Sequence, residues 1–161
     1  MRKKNYSSNY LYFILLPITL LYQAIIFIRK IFYKYHIFRT NTLPCKVISV
    51  GNITVGGSGK TPTVEYLSRH LQSKGKKIGI ISRGYRRKSK STLIVTDGIT
   101  KPQSWQDFGD EPYLLAQNLK NIPIIVGESR YEAGMKMIEN FDPDIIIMDD
   151  GFQHVSLYRD L

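Results

Sequence analysis

The chain has 161 residues, with 23 Lys and Arg against 13 Asp and Glu and a formal charge of +10, enough for one domain with a real core. Residues 1–40 hold seven of the positive charges (Arg2, Lys3, Lys4, Arg29, Lys30, Lys34 and Arg39) and no acid, which leaves only about +3 on the rest. Those basic residues flank an apolar run instead of forming a stripe, so no nucleic-acid partner is expected and anionic lipid headgroups are favoured. Cys45, the single cysteine, excludes an internal disulfide and a Cys/His metal cluster and suits a reducing compartment; it reads as a small buried residue on a strand.

From Asn5 to Ile28 no residue is charged, and Tyr10–Ile28 is about as long as the ~20 residues a bilayer-spanning helix needs. Tyr10, Tyr12, Tyr33 and Tyr35 stand near its two ends, as interfacial anchors do. No A-x-A-like cleavage site follows, which argues against a signal peptide. Pro17, Thr19 and Gln23 interrupt the run, so a helix lying in one leaflet competes with a spanning one. Residues 1–40 are expected to form a membrane-associated arm, and 41–161 a separate α/β domain.

After Pro44 the texture changes. "CKVISVG" reads as a strand and "TPTVEYLSRHLQSKGK" as a helix ended by Gly75. "KIGIISRGY" and "STLIVTDG" read as strands on either side of a basic loop, and "GDEPYLLAQNL" as a helix with Pro112 in its first turn. "IPIIVGE", "SRYEAGMKMIENF" and "PDIIIMDDG" supply a strand, a helix and a strand. Ile and Val runs without alternation suit a sheet covered on both faces. The pattern predicts a doubly wound, mainly parallel α/β fold.

"GNITVGGSGKTP" sits where a strand meets a helix. Glycines there let amide N–H groups converge on phosphate oxygens, a lysine reaches the terminal phosphates, and a Ser/Thr hydroxyl reaches Mg²⁺. Thr54 replaces the first glycine of the strict P-loop pattern without removing a phosphate-contacting group. "IIIMDDGFQH" reads as the partner strand, Asp149 and Asp150 at its tip orienting Mg²⁺ or its water, with a solvated turn as the plainer alternative. In "GDEP", Asp110 suits a helix N-cap, or the Asp110–Glu111 pair divides proton acceptance and metal contact. "SRGYRRK" is either a solvated basic loop or a cationic surface for an anionic substrate at the sheet's carboxyl edge.

Taken in order, "GNITVGGSGKTP", "SRGY", "GDEP", "SRYEAG" and "DDGFQH" resemble tetraacyldisaccharide 4'-kinase, a family whose loop is similar to "TVGGSGKT". The resemblance implies ATP-dependent phosphorylation of the 4'-hydroxyl of a membrane-borne disaccharide 1-phosphate lipid, in lipid A synthesis at the cytoplasmic face of the inner membrane of a Gram-negative bacterium. It implies that Thr54, Val55, Gly56, Gly57, Ser58, Gly59, Lys60 and Thr61 bind ATP. It makes Asp110 the base, with Lys60 and Arg130 supplying charge, and Thr61, Glu111 and Asp150 the Mg²⁺ ligands. Tyr85, Asp149, Gln153 and His154 line the same site. Family members carry a second, carboxy-terminal lobe, so these residues alone are expected to be nearly inactive. The rival readings are a partition- or targeting-type ATPase or GTPase switch and a non-enzymatic anchor. Val55 stands where the partition ATPases have a signature lysine, no Asn-Lys-x-Asp motif occurs, and the intact "GKT" disfavours the anchor.

Overall fold

The interior Ile- and Val-rich runs become strands because they bury both faces. In the computed structural model, which describes residues 7–34, 40–51, 59–85, 87–151 and 156–161, the chain divides into two compact units, Met1–Thr40 and Asn41–Leu161.

The first unit contains α1 (Ser7–Lys34), with Pro17 inside it. Thr19 Oγ1 donates to the Leu15 carbonyl at 2.9 Å, which satisfies the hydroxyl within the apolar middle of the helix. Every side chain from Leu15 to Ile28 is exposed. Among the described residues no helix is long and apolar enough to cross a membrane.

The second unit holds β1 (Lys46–Val50), α2 (Lys60–Ser73), β2 (Ile78–Ser82), β3 (Leu93–Thr96), α3 (Asp110–Asn118), β4 (Ile124–Val126), α4 (Arg130–Phe141) and β5 (Ile145–Asp149). The sheet order is β1-β5-β2-β4-β3. All neighbours are parallel except β3, which runs antiparallel to β4 with an irregularity between Ile94 and Thr96. Successive strand residues feed two cores. Ile78, Ile80, Ile124, Val126 and Ile147 face Val64, Leu115 and Leu119 of the α2–α3 layer. Val47, Ile81, Ile125, Ile146 and Met148 face Ala133 and Met137 of α4. Both sides being apolar, the strands show no alternation of polarity.

Local signals set the ends. α2 closes at Lys74, and Gly75, at φ 76°, donates its N–H to the Gln72 carbonyl at 2.9 Å, a left-handed termination that glycine adopts most easily. α4 starts behind Ser129, whose side chain accepts the Glu132 N–H at 3.2 Å. Cys45 departs from expectation: it sits one residue before β1 and is only half-buried. Burial pushes its thiol above the ordinary value.

The free edge of β1 is covered by the chain's last residues. Val47 N donates to Asp160 Oδ2 at 2.8 Å, Asp160 N to the Val47 carbonyl at 2.8 Å, and Ser49 N to the Leu161 carbonyl at 2.7 Å. At the other end the register pairs Val50 with Asp149, Ile81 with Met148 and Ser82 with Val126. The carboxyl ends of β1, β5, β2 and β4 therefore finish along one edge, where open α/β sheets bind ligands.

Candidate active site

The loop expected to grip phosphate joins β1 to α2. Thr54, Val55, Gly56, Gly57 and Ser58 lie outside the described residues, and the geometry resumes at Gly59. Its φ of 76° and ψ of 19° are left-handed, a conformation that costs most other residues about 1–2 kcal/mol. The chain then turns directly into α2, with Thr63 N and Oγ1 both donating to the Gly59 carbonyl, at 3.0 and 2.8 Å. Lys60 and Thr61 thus open the helix, where unpaired amides and the helix dipole favour an anion.

Lys60 Nζ donates to Asp150 Oδ1 at 2.8 Å, tying the start of α2 to the tip of β5. That hydrogen bond holds the Lys60 pKa above its ordinary 10.5, so the ammonium persists at neutral pH. Asp150 has φ 53°, a left-handed backbone that few residues besides glycine, Asn and Asp adopt. Asp149, its neighbour, is 0% exposed. Ser82 Oγ donates to Asp149 Oδ2 at 3.2 Å, and Asp149 Oδ1 has no partner among the described residues. Burial, then the charge of Glu111, pushes the Asp149 carboxyl up to about 6.

The carboxylate pair of α3 completes this edge, with a correction to its expected cap. The N-cap is Gly109, at φ 96°, and no side chain caps the helix. Asp110 is the first helical residue, and its Oδ1 accepts the Glu111 N–H at 3.0 Å. Gly109 takes the cap because it packs backbone to backbone on the β2–β3 loop. A Cβ there would stand 2.7 Å from the Tyr85 carbonyl oxygen and 3.0 Å from the Gly84 carbonyl carbon. The contact sets Arg83 and Tyr85 beside Asp110 and Glu111. Burial raises the Glu111 carboxyl above its ordinary value, and Lys60 opposes the shift.

A cavity of about 300 Å³ opens between these groups, lined by Lys60, Ser82, Arg83, Tyr85, Asp110, Glu111 and Asp150. A larger one, about 590 Å³, lies at the opposite edge by Pro44, Cys45, Lys46 and Asp144, at the starts of β1 and β5. Charge, strain and perturbed carboxyls all converge on the smaller one, which marks it as the candidate site. Glu111, Asp149 and Asp150 face the single ammonium of Lys60, an excess of negative charge that a divalent cation would relieve. Among the described residues no three His, Cys, Asp or Glu side chains could hold a metal by themselves.

Arg130, the first residue of α4, is 2% exposed and does not line this cavity. Its Nη1 donates to the Gly127 carbonyl at 2.6 Å, while Nε and Nη2 lack partners among the described residues. Burial lowers its pKa to about 10, with Asp149 acting to raise it, so it stays cationic behind the β5 tip. Gln153 and His154 fall outside the described residues. Ser82 and Arg83 escaped the sequence reading as individual site residues. Their signal was their place at the carboxyl end of a buried strand.

A family model described as tetraacyldisaccharide-1-P 4'-kinase (LpxK) matches residues 11–161. The tetraacyldisaccharide 4'-kinase of Aquifex aeolicus is 48% identical over 91% of this chain and 46% of its own length. That of Pelobacter propionicus is 40% identical over 92% of this chain and 41% of its own length. A crystal structure of LpxK from Aquifex aeolicus in complex with ATP superposes with a TM-score of 0.84 at 48% identity, covering 94% of this chain and 47% of that one. The chain thus spans under half the length of the relatives it matches.

Proposed function

Since the chain belongs to the tetraacyldisaccharide 4'-kinase family, we propose that its sheet edge works in ATP-dependent phosphorylation of the 4'-hydroxyl of an acylated disaccharide 1-phosphate, a step of lipid A synthesis. The observation that carries this reading is the Lys60–Asp150 pair, which sets a helix-start ammonium against a strand-tip carboxylate beside the Asp110–Glu111 pair. This is the charge arrangement phosphoryl transfer requires.

In this reading residues 54–61 hold the nucleotide, with Lys60 leaving Asp150 to neutralise the terminal phosphates. Asp110, exposed at the cavity, accepts the proton of the sugar hydroxyl. The hydroxyl oxygen then bonds to the γ-phosphorus as the bond to the β–γ bridging oxygen breaks, and ADP leaves with that electron pair. Thr61, Glu111 and Asp150 would hold Mg²⁺ together with phosphate oxygens, and the ion supplies neutralisation of the developing charge. Tyr85 walls the acceptor side, with Gln153 and His154 assigned to the same site. Asp149 and Arg130 act from behind, by fixing the strand tip and its field.

The apolar surface of α1 holds the site at the inner membrane's cytoplasmic face, where an acylated substrate resides. A helix interrupted by Pro17 and carrying a bonded Thr19 suits residence in one leaflet. The relatives are more than twice as long as the part they share with this chain, and the acceptor cleft draws on a second lobe. Nucleotide binding without efficient turnover is therefore expected of these 161 residues. The test is transfer of labelled γ-phosphate from ATP to the lipid disaccharide by the chain completed with a family carboxy-terminal lobe. Lys60→Ala and Asp110→Ala should each lower transfer about 10²-fold or more. Equal transfer by all three proteins would refute the assignment.

A further inference from the structure

A third cavity, of about 240 Å³, adjoins the candidate active site and shares Arg83 and Tyr85 with it. Its wall is the β2–β3 loop, which contributes Arg87, Lys88, Ser89 and Lys90, with Glu128 the single acid. Among the described residues none of its four cations forms an ion pair with a carboxylate. Such a cluster repels itself unless an anion joins it.

The loop is also braced. Arg87 donates through Nη1 to the Ser91 carbonyl, and through Nη2 to the Lys90 carbonyl at 2.9 Å. Ser91 N donates to Ser89 Oγ at 3.2 Å, and Lys88 N to the Gln106 carbonyl at 3.2 Å. Gly84, at φ 69°, lets the loop fold against the Phe108 carbonyl. Burial lowers the Arg87 pKa below its ordinary value. The bracing fixes Arg87 and the loop backbone, which carries the exposed Arg83, Lys88 and Lys90 side chains around one concavity.

The nucleotide does not use these groups, because its phosphates are placed by Lys60 and the α2 start. The acceptor, however, carries a phosphate already, as the family's description states. With the acceptor hydroxyl at Asp110, the second sugar must leave the catalytic cavity, and the shared Tyr85 and Arg83 mark that exit. We propose that the basic pocket formed by Arg83, Arg87, Lys88 and Lys90 binds the phosphate monoester on the far sugar of the acceptor, and so selects which hydroxyl reaches Asp110. The proposal rests on the kinase reading and adds a specificity subsite to it.

The test is calorimetric binding of three soluble probes to the chain completed with a family carboxy-terminal lobe: the deacylated disaccharide 1-phosphate, the same disaccharide without phosphate, and inorganic phosphate. The wild type should prefer the phosphorylated sugar by at least tenfold, and inorganic phosphate should compete weakly for the same site. Lys88→Ala/Lys90→Ala should lower affinity for the phosphorylated sugar about tenfold and leave the plain sugar and ATP unchanged. Lys90→Arg should retain the preference. Asp110→Ala should keep the preference while transfer is lost in the completed enzyme. Preference in the wild type without any transfer would sink the kinase reading and leave the pocket standing. Absence of preference in the wild type, or equal loss of both sugars in the double variant, would overturn the pocket.

Discussion

Gly84 and Gly75 offer a controlled comparison within one molecule. Both have left-handed backbones, at φ 69° and 76°, but a Cβ on Gly75 meets nothing within 4 Å, whereas on Gly84 it would stand 2.5 Å from the Phe108 carbonyl oxygen and 2.7 Å from Arg87 Cδ. Alanine at Gly75 therefore incurs backbone strain alone, about 1 kcal/mol. At Gly84 the same strain is joined by a clash with a backbone atom. That carbonyl precedes Gly109, itself pressed against the Tyr85 carbonyl, so it yields only by moving the start of α3. Overpacking of this kind costs about 1–3 kcal/mol, which puts Gly84→Ala at about 2–4 kcal/mol. Urea unfolding of the two variants and the wild type, with linear extrapolation, measures the difference. Because the clash parts Tyr85 from Asp110, transfer by the completed enzyme should also fall for Gly84→Ala and stay normal for Gly75→Ala. Equal destabilisation by the two substitutions would refute the argument that backbone contact between the loops shapes the site.

Ile147→Ala removes a fully buried side chain from β5, an interior strand, and should cost about 2–5 kcal/mol in the same assay. Lys60→Ala breaks the 2.8 Å pair with Asp150, whose side chain is 52% exposed; stability should change by less than about 1 kcal/mol while ATP affinity, by calorimetry, collapses. The Asp97 carboxylate accepts the Thr100 and Ile99 N–H groups at 2.7 and 2.9 Å, and these bonds lower its pKa. Its stabilisation is full above the unfolded value near 3.8 and is lost as pH falls through the lower folded value. Asp97→Ala should therefore flatten the acid limb of urea midpoints measured from pH 5 to pH 3, and an unchanged limb would count against the turn's contribution.

How much of this was legible in the sequence varies with the range of the interaction. The strand and helix segments were readable because burial on both faces leaves unbroken Ile/Val runs, and because Gly75 and the "GKT" junction punctuate them locally. The direction of β3 was not: "STLIVTDG" carries no mark of orientation, which depends on where its neighbour β4 lies. The cap of α3 was misplaced by one residue, since Asp110 satisfies the usual local rule and only the contact with Tyr85 explains why Gly109 takes that position. The pairing of Lys60 with Asp150 spans ninety positions and was suggested by motif order, whereas the burial of Arg130, its Nη1 held by the Gly127 carbonyl and its side chain outside the cavity lining, was not readable from the motif. Cys45 looked like a strand residue because it borders one.

The strand that precedes the glycine-rich segment lies at the border of the sheet, between β5 and residues 157–161. During synthesis from the amino end, β1 leaves the ribosome with neither flanking partner, and Val47 waits 113 positions for the carboxylate that receives its amide. β1, made early, is thus among the last strands to be locked. Amide exchange at Val47 and Ser49 should report tail docking directly, and shortening the chain by its final five residues should loosen that strand before any other.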